Sequence, residues 1–137
     1  MFQDIFSSTT IPVLEQVVNF SQARHTVLAG NVANMDTPGY KVRDLSVDDF
    51  QKRLARAIED RNQPPVYRSP GEPDYEPPEP LAEVSKNPKT ILYHDNSNVG
   101  IEHQVTEMVK NQMQHNLALS VMVQQFQLLQ TAISERV

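Results

Sequence analysis

The chain has 137 residues, no cysteine, ten prolines and a formal charge of −5. That length argues for one domain, and the lack of thiols excludes disulfide staples, thiolate metal sites and cysteine nucleophiles. The acidic balance argues against binding nucleic-acid backbones. Neither a cleavable secretory signal nor a run of about 18 apolar residues able to span a membrane is read from it.

The first expected element is a helix over Thr10–Asn34, with Pro12 in its first turn and a threonine before it. Leu14, Val18, Ser21, His25, Leu28 and Val32 step by four and three, one stripe of a helix roughly 35 Å long. Asn34 is expected to stop the helix in the left-handed region, and Pro38 forbids its continuation. Thr37-Pro38-Gly39-Tyr40 fits a type II turn with positive φ at the glycine. Asp36 is placed to fold onto nearby backbone donors, and Tyr40 offers a ring to dock.

From Lys41 to Arg61, 11 of 21 residues are charged. Ser46 with Asp49 forms a capping box, and Val47, Phe50, Leu54 and Ile58 share a face, so a short amphipathic helix is expected with its charges in water. Residues 62–98 hold eight of the ten prolines together with Glu72, Asp74, Glu76, Glu79 and Glu83. That composition reads as an extended acidic connector.

The last stretch, Ile101–Arg136, reads as a helix of roughly 50 Å, with Ser97 or Asn98 as its cap. Val105, Met108, Gln112, His115, Leu119, Met122, Phe126, Leu129 and Ile133 step along it by three and four. Its other face is unusual. Residues 111–134 contain no Asp, Glu, Lys or Arg, and Gln16–Met35 contains only Arg24. A surface helix ordinarily keeps Lys and Glu in water, whereas charges are avoided where a helix is enclosed. Amides such as Gln125 donate and accept at once, so they can face copies of themselves. The expected fold is mainly α: two long terminal helices paired antiparallel as a coiled-coil-like hairpin, a short amphipathic middle helix and an extended Pro-rich connector. Setting Ser21 and His25 against His115 and Gln112 brings Leu28 to Met108, Val18 to Leu119 and Leu14 to Met122. The overhanging turns would then cover Ile5 and Phe6 or a neighbouring subunit. Such a hairpin alone should be marginally stable, and assembly with its own kind would complete the core.

His25, His94, His103 and His115 lack metal-ligand spacing, and the glycines form no phosphate loop. Asn19-Phe20-Ser21 matches a glycosylation sequon by chance inside a helix. No catalytic, cofactor-binding or metal-binding residue is assigned.

The run "LAGNVANMDTPGYKVRD", Leu28–Asp44, resembles the signature of bacterial flagellar rod and hook proteins. With Arg24, Phe50 and the ending "FQLLQTAI" it is most similar to the FlgB-type proximal rod family. The turn-motif residues are Asn34, Asp36, Thr37, Pro38, Gly39, Tyr40 and Lys41. Gly30, Met35 and Gly100 depart from the family pattern; glycine at 30 would let another helix approach. The resemblance implies a non-catalytic, cofactor-free subunit of the flagellar basal-body rod in the periplasmic space, exported through the flagellar type III apparatus without a cleavable signal. It would assemble helically with copies of itself, the FliE adaptor and FlgC-type rod proteins, and transmit torque. Residues 1–36 and 99–137 would form the inner tube, flanking the turn and charged helix (37–61) and the connector (62–98). The alternative is a soluble helical adaptor or export chaperone forming a small oligomer.

Overall fold

A computed structural model describes residues 9–62, 84–94 and 97–134. The expected contact of the last turns with Ile5 and Phe6 lies outside the described residues, as does most of the Pro-rich connector. The elements are α1 (Ile11–Ala33), β1 (Arg43–Asp44), α2 (Val47–Asn62), β2 (Lys89–Thr90) and α3 (Ile101–Ser134). α1 lies antiparallel along α3, as contacts at Asn31–Gln104, Arg24–Glu107 and Ser21–Asn111 show. The long-helix pairing read from the sequence is therefore present. Its register differs: Ser21 meets Asn111 where His115 was expected, an offset of about one turn.

The helices are also rotated relative to the expected seam. On α1, Phe20, Ser21, Arg24, Leu28 and Asn31 are buried, whereas His25 is exposed and Leu14, Val18 and Val32 are half-buried. On α3 the buried line is Gln104, Asn111 and Ala118, spaced by seven. Met108, His115, Met122, Gln125 and Leu129 are half-buried beside it, while Val105, Gln112, Leu119, Phe126 and Ile133 are exposed within the single chain. The rotation has a physical cause. Asn111 donates to the Ser21 carbonyl and Gln104 accepts from the Asn31 amide, and Ala118 and Ser21 are small enough for close packing.

An apolar cluster sits between α1 and α2. Phe20 and Phe50 stack with ring centroids 4.0 Å apart and planes 7° from parallel. Leu45 and Val84 are buried with them, and Val17, Ala23, Val27, Val47 and Leu54 pack around. α2 starts as expected: the Ser46 hydroxyl accepts from the Asp49 N–H at 3.2 Å, and Phe50 and Leu54 face inward. Val84 and β2 belong to the stretch expected to be an extended connector. The Pro-poor part of that stretch can donate to a ladder, and β2 pairs antiparallel with β1, Arg43 opposite Thr90 and Asp44 opposite Lys89.

Three local expectations are corrected. Asn34 is not left-handed, with φ −108° and ψ 12°; its side-chain amide donates to the Gly30 carbonyl at 2.8 Å, satisfying a helix-end acceptor directly. Asp36 is exposed, and the chain reverses through backbone bonds, Thr37 N–H to the Asn34 carbonyl and Tyr40 N–H to the Thr37 carbonyl. Asn98 does not cap α3, because its amide is committed to the Tyr40–Val42 segment; Gly100 supplies the first carbonyl of that helix instead. The turn itself is as expected. Gly39 has φ +77°, and the Tyr40-to-Thr37 bond at 3.1 Å closes a type II turn.

Candidate assembly interface

Two surfaces carry the distinctive chemistry: a buried polar clasp that docks the turn segment onto both long helices, and the outer face of α3. At the centre of the clasp is Asn31, fully buried. Its Nδ2 donates to the Arg43 carbonyl at 2.5 Å and to Gln104 Oε1 at 3.0 Å. Its Oδ1 accepts from the Tyr40 hydroxyl at 3.0 Å and the Arg43 N–H at 3.2 Å. All four hydrogen-bonding positions of this amide are used. The strand that follows the turn is held from its other side by Asn98, whose Oδ1 accepts from the Val42 N–H at 3.1 Å and whose Nδ2 donates to the Tyr40 carbonyl at 2.7 Å. Tyr40 therefore docks, as expected, and what it docks on is Asn31.

A second fastening lies two turns toward the start of α1. Arg24 grips Asp44 with two donors, Nε to Oδ1 at 2.9 Å and Nη2 to Oδ2 at 2.5 Å. Nη2 also reaches Glu107 on α3 at 2.9 Å. Arg24 and Asp44 are buried, so the only fixed charge in residues 16–35 is neutralised inside the fold. One guanidinium thus joins α1, β1 and α3. Such a pair fixes geometry more surely than it adds net stability.

The Lys110 ammonium and, after it, the Arg24 guanidinium hold the Glu107 carboxyl below the ordinary glutamate range. A pKa lowered on folding contributes stability that is present above the unfolded value and is lost as pH falls through the folded one. The thermal midpoint is therefore expected to fall on acidification below about pH 4.3. Glu107→Gln should start lower at neutral pH and lose less over the same interval. Parallel pH profiles of the two proteins, followed by circular dichroism, would show that Glu107 contributes nothing to the acid response.

On the outer face of α3, Ile101, Val105, Val109, Met113 and Leu117 are all exposed, Met113 and Leu117 at 67% each. They recur every fourth residue, so they precess about 40° per step around the axis rather than forming one stripe. Leu119, Val123, Phe126, Leu128 and Ile133 continue this exposed apolar surface toward the C-terminus. A helix that is apolar around much of its circumference belongs in a buried setting. The surface was legible in the uncharged stretch. The clasp was not: Arg24 was visible as a solitary charge, and Gln104 and Asn111 carried only a seven-residue spacing as signal.

The flagella basal body rod protein family model matches residues 19–41, which span the second half of α1, the type II turn and the clasp residues Arg24, Asn31 and Tyr40. The chain is 31% identical over 116 residues to the flagellar basal body rod protein FlgB of Aquifex aeolicus, covering 85% of this chain and 84% of the relative. The chain belongs to the FlgB family. A second FlgB, from Bacillus subtilis, is 24% identical over 93% of this chain and 95% of its own length. With FlgB of Escherichia coli the match is 40% over 45 residues, a third of the chain. As a member of the FlgB family the chain is a structural component of the flagellar basal-body rod, not an enzyme. Consistent with that place, no helix among the described residues is long and apolar enough to cross a membrane.

Proposed function

We propose that the chain assembles helically with copies of itself and neighbouring axial proteins to form the proximal rod and transmit torque through packed helices. Residues 1–36 and 99–137 form the inner tube, and the turn with α2 faces outward with the connector. The partners are the FliE adaptor, FlgC-type rod proteins and the type III export apparatus that delivers the chain. The observation that carries this reading is the exposed apolar surface of α3, which from residue 111 to 134 carries no charge and is too extensive for an isolated chain in water. An open apolar cavity of about 360 Å³ between α1, α2 and α3, walled by Leu14, Val17, Phe50, Leu54, Leu117 and Val121, adds to the surface left to fill. In this reading the subunit contacts run through Val105, Gln112, Leu119, Phe126 and Ile133, and the half-buried Leu14, Val18, Val32, Met108, His115, Met122, Gln125 and Leu129 are sealed from both sides; Leu28 stays in the intrachain seam. The turn motif, Asn34 to Lys41, sets the entry of the outer segment.

Gln124 is exposed and Gln125 half-buried in the single chain. Replacing both by glutamate should change the stability of the free chain by no more than about 0.5–1 kcal/mol, yet stop it entering basal bodies and abolish swimming. Normal motility of that double variant would remove burial of this face from the proposal. A soluble adaptor would tolerate it.

A further inference from the structure

Between the two long helices, beside the Arg24 fastening, is an open polar cleft of about 280 Å³ walled by Ser21, Gln22, His25, Asn111, Gln112 and His115. Two polar atoms of its wall residues are buried without a partner among the described residues, Asn111 Oδ1 and His115 Nδ1. Asn111 is 1% exposed, and its Nδ2 is fixed by a 2.7 Å bond to the Ser21 carbonyl. That bond sets the orientation of the amide, so Oδ1 is the free end. Leaving such an acceptor unpaired is unfavourable, a penalty that an incoming donor relieves.

The chemistry of the occupant follows from the walls. Asn111 Oδ1 only accepts, so the occupant must bring an N–H or O–H. His115 Nδ1 donates or accepts according to tautomer, so a group that does both suits the pair. No wall residue is Asp, Glu, Lys or Arg, and Arg24 next to the cleft is already neutralised by Asp44 and Glu107. A charged guest would lose its hydration with no counter-charge to replace it. A neutral carboxamide meets every condition.

The chain itself carries such groups on a segment in the right condition. Ser21 lies against Asn111, so the first residue of α1, Ile11, is level with about residue 121 of α3. The rest of α3 runs past the start of α1, without a single charge from 121 to 134 and with Gln124, Gln127 and Gln130 exposed.

We propose that this cleft is a socket for a glutamine side chain from the overhanging end of α3 in a second copy of the chain. The guest carboxamide donates from Nε2 to Asn111 Oδ1 and accepts at Oε1 from His115 Nδ1–H. The socket rests on the assembly proposed above and specifies one contact of it. It gives that assembly a directional, uncharged latch beside its apolar surface.

Intact basal bodies carrying Gln112→Cys test the cleft, with Gln22→Cys as a second probe on the opposite wall; both positions are exposed in the free chain. A water-soluble maleimide should label either thiol at least about tenfold more slowly in basal bodies than in chain released by urea, since reactivity follows access. Gln112→Cys is then combined in turn with Cys at 124, 127 and 130. Within one chain these positions are separated by about 18 Å or more along a single helix, beyond the roughly 7 Å Cα limit of a disulfide. Oxidation should therefore produce cross-linked multimers with at least one pair. Full labelling of both single-cysteine variants in basal bodies would mean that solvent fills the cleft, and would overturn the socket. Protection without a cross-link from any pair would overturn the second copy as its occupant. Either result leaves the rod assignment standing, because that depends on recovery of the unsubstituted chain in the same particles.

Discussion

Arg24→Met is expected to lower stability by about 3–5 kcal/mol, because it removes the cation from a buried pair and leaves the Asp44 carboxylate without its charge partner. Methionine approximates the length of the arginine stem, so the loss is chiefly electrostatic rather than a cavity. Against the roughly 5–15 kcal/mol that folded domains usually hold, a hairpin with so small a core should lose its cooperative thermal transition by circular dichroism. The double variant Arg24→Met with Asp44→Leu should recover much of the loss, since no buried charge is then orphaned. Recovery will be incomplete: Asp44 Oδ1 also accepts from the Leu45 N–H at 2.7 Å, and that donor would lose its partner. Glu107 keeps Lys110 at 2.7 Å and adds little to the deficit. If Arg24→Met alone melts within about one kcal/mol of the unsubstituted chain, the buried pair is not holding α1, β1 and α3 together.

Asn31→Leu should cost about as much by another route. Leucine fills a similar volume but abandons the Arg43 N–H, the Arg43 carbonyl, the Tyr40 hydroxyl and Gln104 Oε1 at once. Each buried group left unpaired costs about 1–3 kcal/mol, and some will reach water once the segment loosens, so about 3–5 kcal/mol is expected. The damage should be local first. Amide hydrogen exchange should speed up at Tyr40–Asp44 before it does along α1. Asn31→Asp separates the two halves of the amide: it keeps the acceptor for Tyr40 and Arg43 but loses both donations, and it buries a charge. It should be no milder than leucine. Unchanged exchange in residues 40–44 of Asn31→Leu would mean that Asn98, the Arg24–Asp44 pair and the pairing with β2 hold the segment without Asn31.

Periodicity, turn chemistry and the distribution of charge placed most of the backbone. The two long helices, the amphipathic α2 with its Ser46 cap, and the type II turn at Gly39 each depend on residues close in sequence. Their short-range chemistry leaves little choice: a positive φ calls for glycine, and Pro38 cannot continue a helix. The charge-free stretch 111–134 is different: in the single chain most of its glutamines, Gln112, Gln124, Gln127 and Gln130 among them, are exposed, and its enclosure belongs to the assembly proposed above.

Which side of each helix turns inward was a different kind of problem. The apolar positions on α3 lie nearly all round the axis, so several stripes satisfy a three-and-four spacing equally well. The one chosen by apolarity is exposed in the single chain along Val105, Leu119 and Phe126 and half-buried along Met108, His115, Met122 and Leu129. The intrachain seam follows Gln104, Asn111 and Ala118 instead. Selecting it required partners from distant parts of the chain, the Ser21 carbonyl for Asn111 and the Asn31 amide for Gln104. Asn98 illustrates the same limit. Locally it is a good helix cap; in the fold its amide spans the Tyr40–Val42 backbone, 56 to 58 residues away.

By itself, the amino-acid sequence determined that this is a helical rod-family subunit whose last helix carries no charge from 111 to 134 and whose first long helix is followed by a type II turn. The helices and the turn are consequences of local conformational preference, which acts wherever the chain happens to be. Only the tertiary structure decided the register, the inward faces and the clasp of Arg24, Asn31, Tyr40, Asp44 and Gln104. A buried polar group takes whichever distant partner satisfies all of its hydrogen bonds at once, and that partner is known only after the chain has folded.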